Sequence, residues 1–124
     1  MKYKVLLVDD NNELRMLLKL CLSQKFMVET ASNGLEAFYR LENEFTPDII
    51  VSDVMMPDVD GLTLTRQIKV NEKYAHIPVI ILSSIDKDAF YREFFQIGAS
   101  DYLLKPFSPK ELIVRIENIL ETVA

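Results

Sequence analysis

The chain has 124 residues, 49% of them hydrophobic, which suits one domain with a substantial core, and its net charge of −5 argues against a nucleic-acid surface. Cys21 is the single cysteine, so an internal disulfide and a cysteine metal site are excluded and a reducing cytoplasmic setting is the simplest fit. No apolar stretch approaches the roughly 20 residues that span a bilayer and no signal-peptide core is present, so a soluble segment without membrane contact is expected.

The first apolar run, Lys4 to Val8, leads straight into Asp9 and Asp10. Leu14, Leu17, Leu18 and Cys21 then recur at helical spacing and predict one buried stripe. Met27 to Ala31 is a mixed strand that reads as an edge, and Asn33-Gly34 marks the turn after it. A second continuous run, Asp48 to Ser52, leads into Asp53, and Asp60-Gly61 marks the next turn. His76 precedes Ile77-Pro78 and is expected in a loop rather than as a phosphate carrier. Val79 to Ser83 is the fourth strand, and Asp86, Lys87 and Asp88 form a charged helix start. In that helix Phe90, Phe94 and Ile97 are read as core, while Tyr91 and Phe95 form a second pair on an adjacent face. After Gly98, the strand Asp101 to Leu104 leads into Lys105-Pro106. Ser108, Pro109 and Glu111 read as N-cap, first helical proline and capping-box partner of a last helix that buries Leu112, Ile116, Ile119 and Leu120.

Strand and helix patterns alternate five times, the signature of βα units feeding a parallel sheet. VLLV, IIV and VIIL are apolar on both faces, as central strands covered by helices require. Right-handed crossovers and the edge-like second strand favour an α/β, flavodoxin-like doubly wound sheet of order 2-1-3-4-5 with five helices. Strands one and three then lie side by side, and Asp9, Asp10 and Asp53 meet at the switch point where ligands bind in such sheets.

Carboxylates held about 4 to 5 Å apart repel by roughly 3 to 4 kcal/mol per pair at an effective dielectric near 20, and so call for protons or a cation. Oxygen donors without His or Cys suit Mg²⁺ or Mn²⁺, which commonly share their shell with phosphate oxygens. Asp53 is the candidate nucleophile toward phosphorus, with Lys105 as counter-charge. Ser83 ends the fourth strand, where its hydroxyl can donate to a phosphoryl oxygen, and Tyr102 lies close enough for its ring to respond.

Each residue also has a plainer reading. Asp10 with Glu13 can be only a helix cap with a favourable acid in the first turn. Lys105 alone is a solvated lysine, Ser83 a strand-end hydroxyl and Tyr102 a half-buried aromatic. The conjunction of Asp9, Asp10 and Asp53 at the ends of neighbouring strands weighs against the plain readings of the acids.

The segments VLLVDDN, NGLEA, PDIIVSDVMMPDVDGL, IPVIILSS and GASDYLLKPF, in this order, resemble the receiver domain of two-component response regulators over essentially the whole chain, 1–124, read as a single receiver domain. The resemblance implies phosphorelay signal transduction, with Asp53 accepting a phosphoryl group from a kinase phosphohistidine. It implies Mg²⁺ held by Asp10, Asp53 and the Met55 backbone carbonyl, with Asp9 helping through water. It makes Ser83 and Tyr102 a switch pair, Lys105 a phosphoryl ligand, and the Lys105-Pro106 bond cis. Ser83 stands where Thr is also common and Ser84 where Ala is frequent, while Met55 and Ile85 flank the expected phosphoryl position. The implied partners are a histidine kinase or its phosphotransfer domain, and a downstream protein at the face near Tyr91, Phe95 and Tyr102, with a homodimer left open.

A receiver phosphorylates and dephosphorylates itself and is not an enzyme acting on a free metabolite. The enzyme alternative is a haloacid-dehalogenase-like phosphatase, which needs an acid or base two residues after its nucleophile; here Met55 stands there. A flavodoxin or dinucleotide binder would need glycines or hydroxyls after the first strand, where this chain has DDNNE. The end of the chain shortly after the last helix fits either a single-domain regulator or a piece of a longer protein. SDVMMPDVDGL followed by HIPVIILSS resembles receivers fused to hybrid sensor histidine kinases.

Overall fold

The apolar runs become the centre of a five-stranded parallel sheet of order β2-β1-β3-β4-β5, the predicted order. In chain order the elements are β1 (Lys4–Val8), α1 (Asn12–Leu22), β2 (Met27–Ala31), α2 (Gly34–Glu42), β3 (Ile49–Asp53), α3 (Gly61–Val70), β4 (Val79–Ser83), α4 (Asp88–Gln96), β5 (Asp101–Leu104) and α5 (Pro109–Val123). The computed structural model describes residues 2–43, 45–54, 56, 60–84 and 88–123, with the backbone alone for 88–91 and 123.

Every residue of β3 and β4 is buried, because helices cover both faces of the central strands. Strand alternation divides the core in two. Val5, Leu7, Ile49, Val51, Ile80, Leu82 and Leu103 pack with Leu18 and Leu22 of α1 and with Leu112, Ile116 and Leu120 of α5. Leu6, Val8, Ile50, Val79, Ile81 and Tyr102 pack on the other face, with residues of α2, α3 and α4. In β2 only Ala31 is buried, as befits an edge. Its outward carbonyl at Thr30 accepts from Arg40 Nε at 3.1 Å, and Arg40 also pairs with Glu29 at 3.6 Å, so the guanidinium covers the open edge.

Two local expectations shift. In α1 Leu18 and Leu22 are buried with Leu14 half-buried beside them, whereas Leu17 is 50% exposed and Cys21 half-buried. The helix meets both the sheet and α5 along a narrow seam, and an i, i+4, i+8 row satisfies it. The third strand runs Ile49–Asp53 rather than 48–52. Asp48 lies outside the pairing, its carboxylate accepting from the Lys4 amide at 2.7 Å, while Asp53 pairs in register with Leu82.

Ser108 caps α5 as the sequence predicts, accepting from the Glu111 amide at 3.1 Å. Asn33 and Asp60, read from the sequence only as turn residues, prove to be helix caps, accepting from the Glu36 and Thr63 amides at 2.8 Å each. Gly34 and Gly61 open helices α2 and α3, and Gly98 takes a φ of 108°, where a side chain would be strained.

Candidate functional site

The site continues one row of the core. Val5 and Leu7 lead to Asp9, Ile49 and Val51 to Asp53, and Leu103 to Lys105, each two residues further along its strand. The alternation that buries the apolar side chains thus carries three polar ones out at the carboxyl end of the sheet.

Asp9 is completely buried. One carboxylate oxygen accepts from the Asn11 amide at 2.9 Å; the other, Oδ2, has no hydrogen-bond partner among the described residues. Lys105 Nζ is 3.7 Å from that oxygen and 3.3 Å from Asp53 Oδ1. Asp53 Oδ1 also accepts from the Val54 amide at 2.9 Å. Asp10 is exposed, and one oxygen from each of Asp9, Asp10 and Asp53 lies within 4.8 Å of the others.

The capping reading of Asp10 does not hold. Asn11 is the N-cap of α1, its Oδ1 accepting from the Leu14 amide at 2.9 Å. Asp10 is therefore free of a capping duty and belongs to the acidic cluster.

Burial raises the Asp53 carboxyl above its ordinary pKa of 3.8, and the charge of Asp9 raises it further; Lys105 and the Val54 N–H oppose them. Three carboxylates around one ammonium leave an excess of negative charge, and a buried carboxylate oxygen without a donor is costly. An oxygen-only donor set of this kind fits a hard divalent cation such as Mg²⁺.

Ser83 is buried at the end of β4, and its carbonyl accepts from the Lys105 amide at 2.7 Å. Tyr102 is in register with Ile81, and both belong to the same face of the core, the face to which alternation assigns Ser83. The Tyr102 ring is buried against Phe94, with centroids 5.9 Å apart, while the next residue, Phe95, is 37% exposed. Phe94 is fully buried as expected, and the Lys105–Pro106 peptide is cis. Met55, Ile85, Asp86 and Lys87 lie outside the described residues, as do the side chains of Phe90 and Tyr91.

The sequence reading missed two residues that shape the site. Gly61 approaches the backbone of Asp53 so closely that an added Cβ would fall 2.3 Å from its carbonyl oxygen. Its amide donates to the Val54 carbonyl at 2.9 Å. Arg15 donates to the Asp9 carbonyl at 2.8 Å from the first turns of α1. Gly61 was legible only as a turn residue and Arg15 only as a polar helix position.

Residues 5–117 match the model of the response regulator receiver domain. The chain belongs to that family. It is 40% identical over 96% of its length to the probable transcriptional regulator ycf27 of Guillardia theta, and 38% identical over 97% to histidine kinase P4 of Formosa agariphila. The receiver domain of DrrB from Thermotoga maritima, solved in a BeF3-activated form, superposes with a TM-score of 0.86 at 35% identity, over 98% of this chain and 99% of that one. The chain spans 46% of the Guillardia protein and 9% of the Formosa kinase, so it corresponds to one module of longer relatives.

The family places the chain in two-component phosphorelay signalling and displaces the phosphatase and flavodoxin alternatives. Receiver domains work with histidine kinases or phosphotransfer proteins and with downstream effectors, and they typically bind Mg²⁺. Among the described residues no helix is long and apolar enough to cross a membrane.

Proposed function

We propose that Asp53 is the phosphoryl acceptor of this receiver and that Asp9, Asp10 and Asp53 hold its Mg²⁺, with Mn²⁺ as a substitute. The observation that carries the reading is the convergence of the three carboxylates within 4.8 Å, with the Lys105 ammonium 3.3 Å from Asp53. An Asp53 oxygen attacks the phosphorus of a phosphohistidine, the P–N bond breaks with its electron pair leaving on the imidazole, and an aspartyl phosphate forms. Bound metal supplies positive charge to the phosphoryl oxygens. The Met55 carbonyl, outside the described residues, completes the ligand set in this proposal.

Lys105 supplies fixed positive charge where charge builds up on the transferred group. Ser83 donates its hydroxyl to a phosphoryl oxygen, and Tyr102, diagonal to it on the same sheet face, couples that contact to the α4 side. Water attack on the phosphorus breaks its bond to the Asp53 oxygen, releasing inorganic phosphate and restoring the carboxylate beside the Lys105 ammonium, so the domain dephosphorylates itself.

The proposed donor is a histidine kinase or its phosphotransfer domain. The proposed downstream surface is the α4 face around Tyr91 and Phe95, above Tyr102, with homodimerisation as one use of it. Residues 1–124 form a single receiver domain in this proposal, working in the cytoplasm either alone or as part of a hybrid histidine kinase. The test is intact-mass analysis after exposure to acetyl phosphate and Mg²⁺. A gain of one phosphoryl group that disappears in Asp53→Asn supports the assignment, and a gain that persists in that variant refutes it.

A further inference from the structure

Asp9 and Asp10 share the peptide that leaves β1, and the orientation of that peptide decides where both carboxylates point. The Asp9 amide donates to the Ala31 carbonyl at 3.1 Å, the last bond from β1 to β2. In an extended chain the N–H and C=O of one residue face the same way, so the Asp9 carbonyl also turns toward β2. Because β2 ends at Ala31, no further strand amide follows to serve it. Arg15 takes that role: Nη1 donates to the Asp9 carbonyl at 2.8 Å, while Nη2 donates to Asn12 Oδ1. The guanidinium is thereby fixed between the strand end and the first turn of α1.

We propose that Arg15 is a positioning residue for the cation site: by holding the Asp9 carbonyl it sets the plane of the Asp9–Asp10 peptide and so aims both carboxylates at Asp53. This inference rests on the reading that the acidic cluster binds Mg²⁺. Arg15 touches no reacting group and acts only through the backbone of Asp9. A planar fork with several donors suits a task that joins a carbonyl and a side-chain amide oxygen at once. The Asn11 amide bond to Asp9 and the Asn11 cap on Leu14 tie the same corner from the other side.

The alternative role of Arg15, as a charge near the cluster, predicts the opposite sign. A cation that merely neutralises the acids competes with Mg²⁺, so its removal would tighten binding. A positioning residue weakens binding when lost.

The test is calorimetric Mg²⁺ titration of the full chain as wild type, Arg15→Met and Arg15→Lys, with amide hydrogen exchange on the metal-free proteins. Arg15→Met keeps the apolar stem and is expected to weaken Mg²⁺ about tenfold, the lower end of the loss on removing an outer-shell partner. Arg15→Lys keeps a charged donor for the carbonyl but cannot serve Asn12 at the same time, and is expected to lose no more than about threefold, less than Arg15→Met. In the metal-free Arg15→Met protein the Asn11 amide exchanges faster while the β3 amides keep their protection. Unchanged or tighter Mg²⁺ binding in Arg15→Met overturns the inference, as does equal loss in Arg15→Lys or loss of protection across β3. If the wild type binds no Mg²⁺ at millimolar concentration, the cation-site reading itself fails and the inference falls with it. Should Arg15→Met not fold, a more than threefold loss in Arg15→Lys would overturn the carbonyl contact as the cause.

Discussion

The Lys105 ammonium stands between two acids, 3.3 Å from Asp53 Oδ1 and 3.7 Å from Asp9 Oδ2. It is the cation that opposes both burial and Asp9 in setting the Asp53 carboxyl. Lys105→Met removes this charge from the proposed acceptor, Asp53, yet leaves the three carboxylates. Phosphorylation by acetyl phosphate is expected to slow about 100-fold, the scale of losing one electrostatic stabiliser of a transition state. Mg²⁺ affinity is expected to hold or rise, because a competing cation has gone. A mass-spectrometric time course and a metal titration read the two effects separately, and an unimpaired rate would remove Lys105 from the chemistry.

Asp53 also sets a pH dependence. Its pKa is raised in the folded protein, first by burial and then by Asp9, so the native state holds the proton more tightly than the unfolded chain. The contribution is least unfavourable at low pH, where the group is protonated in both states, and as pH rises from the ordinary carboxylate range through the raised native value the native state loses stability. At neutral pH, above the ordinary carboxylate range, this raised pKa is a net cost to the native state. Asp53→Asn, without metal, is therefore expected to be more stable at pH 7 by on the order of 1 kcal/mol, a common scale for relieving a functional site. The advantage should fade below about pH 4, where the wild-type acid is neutral in both states. Urea denaturation at the two pH values checks this, and equal stability at pH 7 would mean that Lys105 fully offsets the burial.

The order of the sheet was legible because continuous apolar runs can only be central strands, and MVETA, with Met27 exposed and Glu29 half-buried, can only be an edge. The acids were legible for the same reason, as polar residues that end such runs. What periodicity could not supply is rotation and close approach. Leu17 and Leu18 are equally apolar in sequence, and only the seam between the sheet and α5 turns Leu18 inward. The cap falls on Asn11 rather than Asp10, a one-residue difference that decides whether Asp10 is available to a cation. Arg15 and Gly61 act on backbone atoms of Asp9 and Asp53, and contacts of a side chain or a bare Cα with a distant carbonyl leave no period in the sequence.

Asp10 and Asp9 should separate binding from stability. Asp10 is exposed and caps nothing, so Asp10→Asn is expected to change folding stability by less than about 0.5 kcal/mol. Its loss from the proposed ligand set should still weaken Mg²⁺ at least about tenfold. Thermal melting without metal and calorimetric titration give the two numbers. An Asp10→Asn protein that binds Mg²⁺ like the wild type would place the cation elsewhere.

Gly61 should prove as important to the proposed acceptor, Asp53, as the charged residues. An added methyl would stand 2.3 Å from the Asp53 carbonyl oxygen and 2.9 Å from the Val54 Cα, and both obstacles are backbone. Neither can swing aside like a long side chain, so α3 and the end of β3 must separate. Gly61→Ala is expected to cost about 1 to 3 kcal/mol, the range for overpacking. The same displacement moves Asp53 relative to Lys105, which follows β5, and phosphorylation by acetyl phosphate should slow about 100-fold, as misplacement by about 1 Å does elsewhere. Denaturation and the mass time course at a temperature where the variant is folded check the two losses. Wild-type stability with a wild-type rate would show that the strand end yields to the methyl group, contrary to the close packing found here.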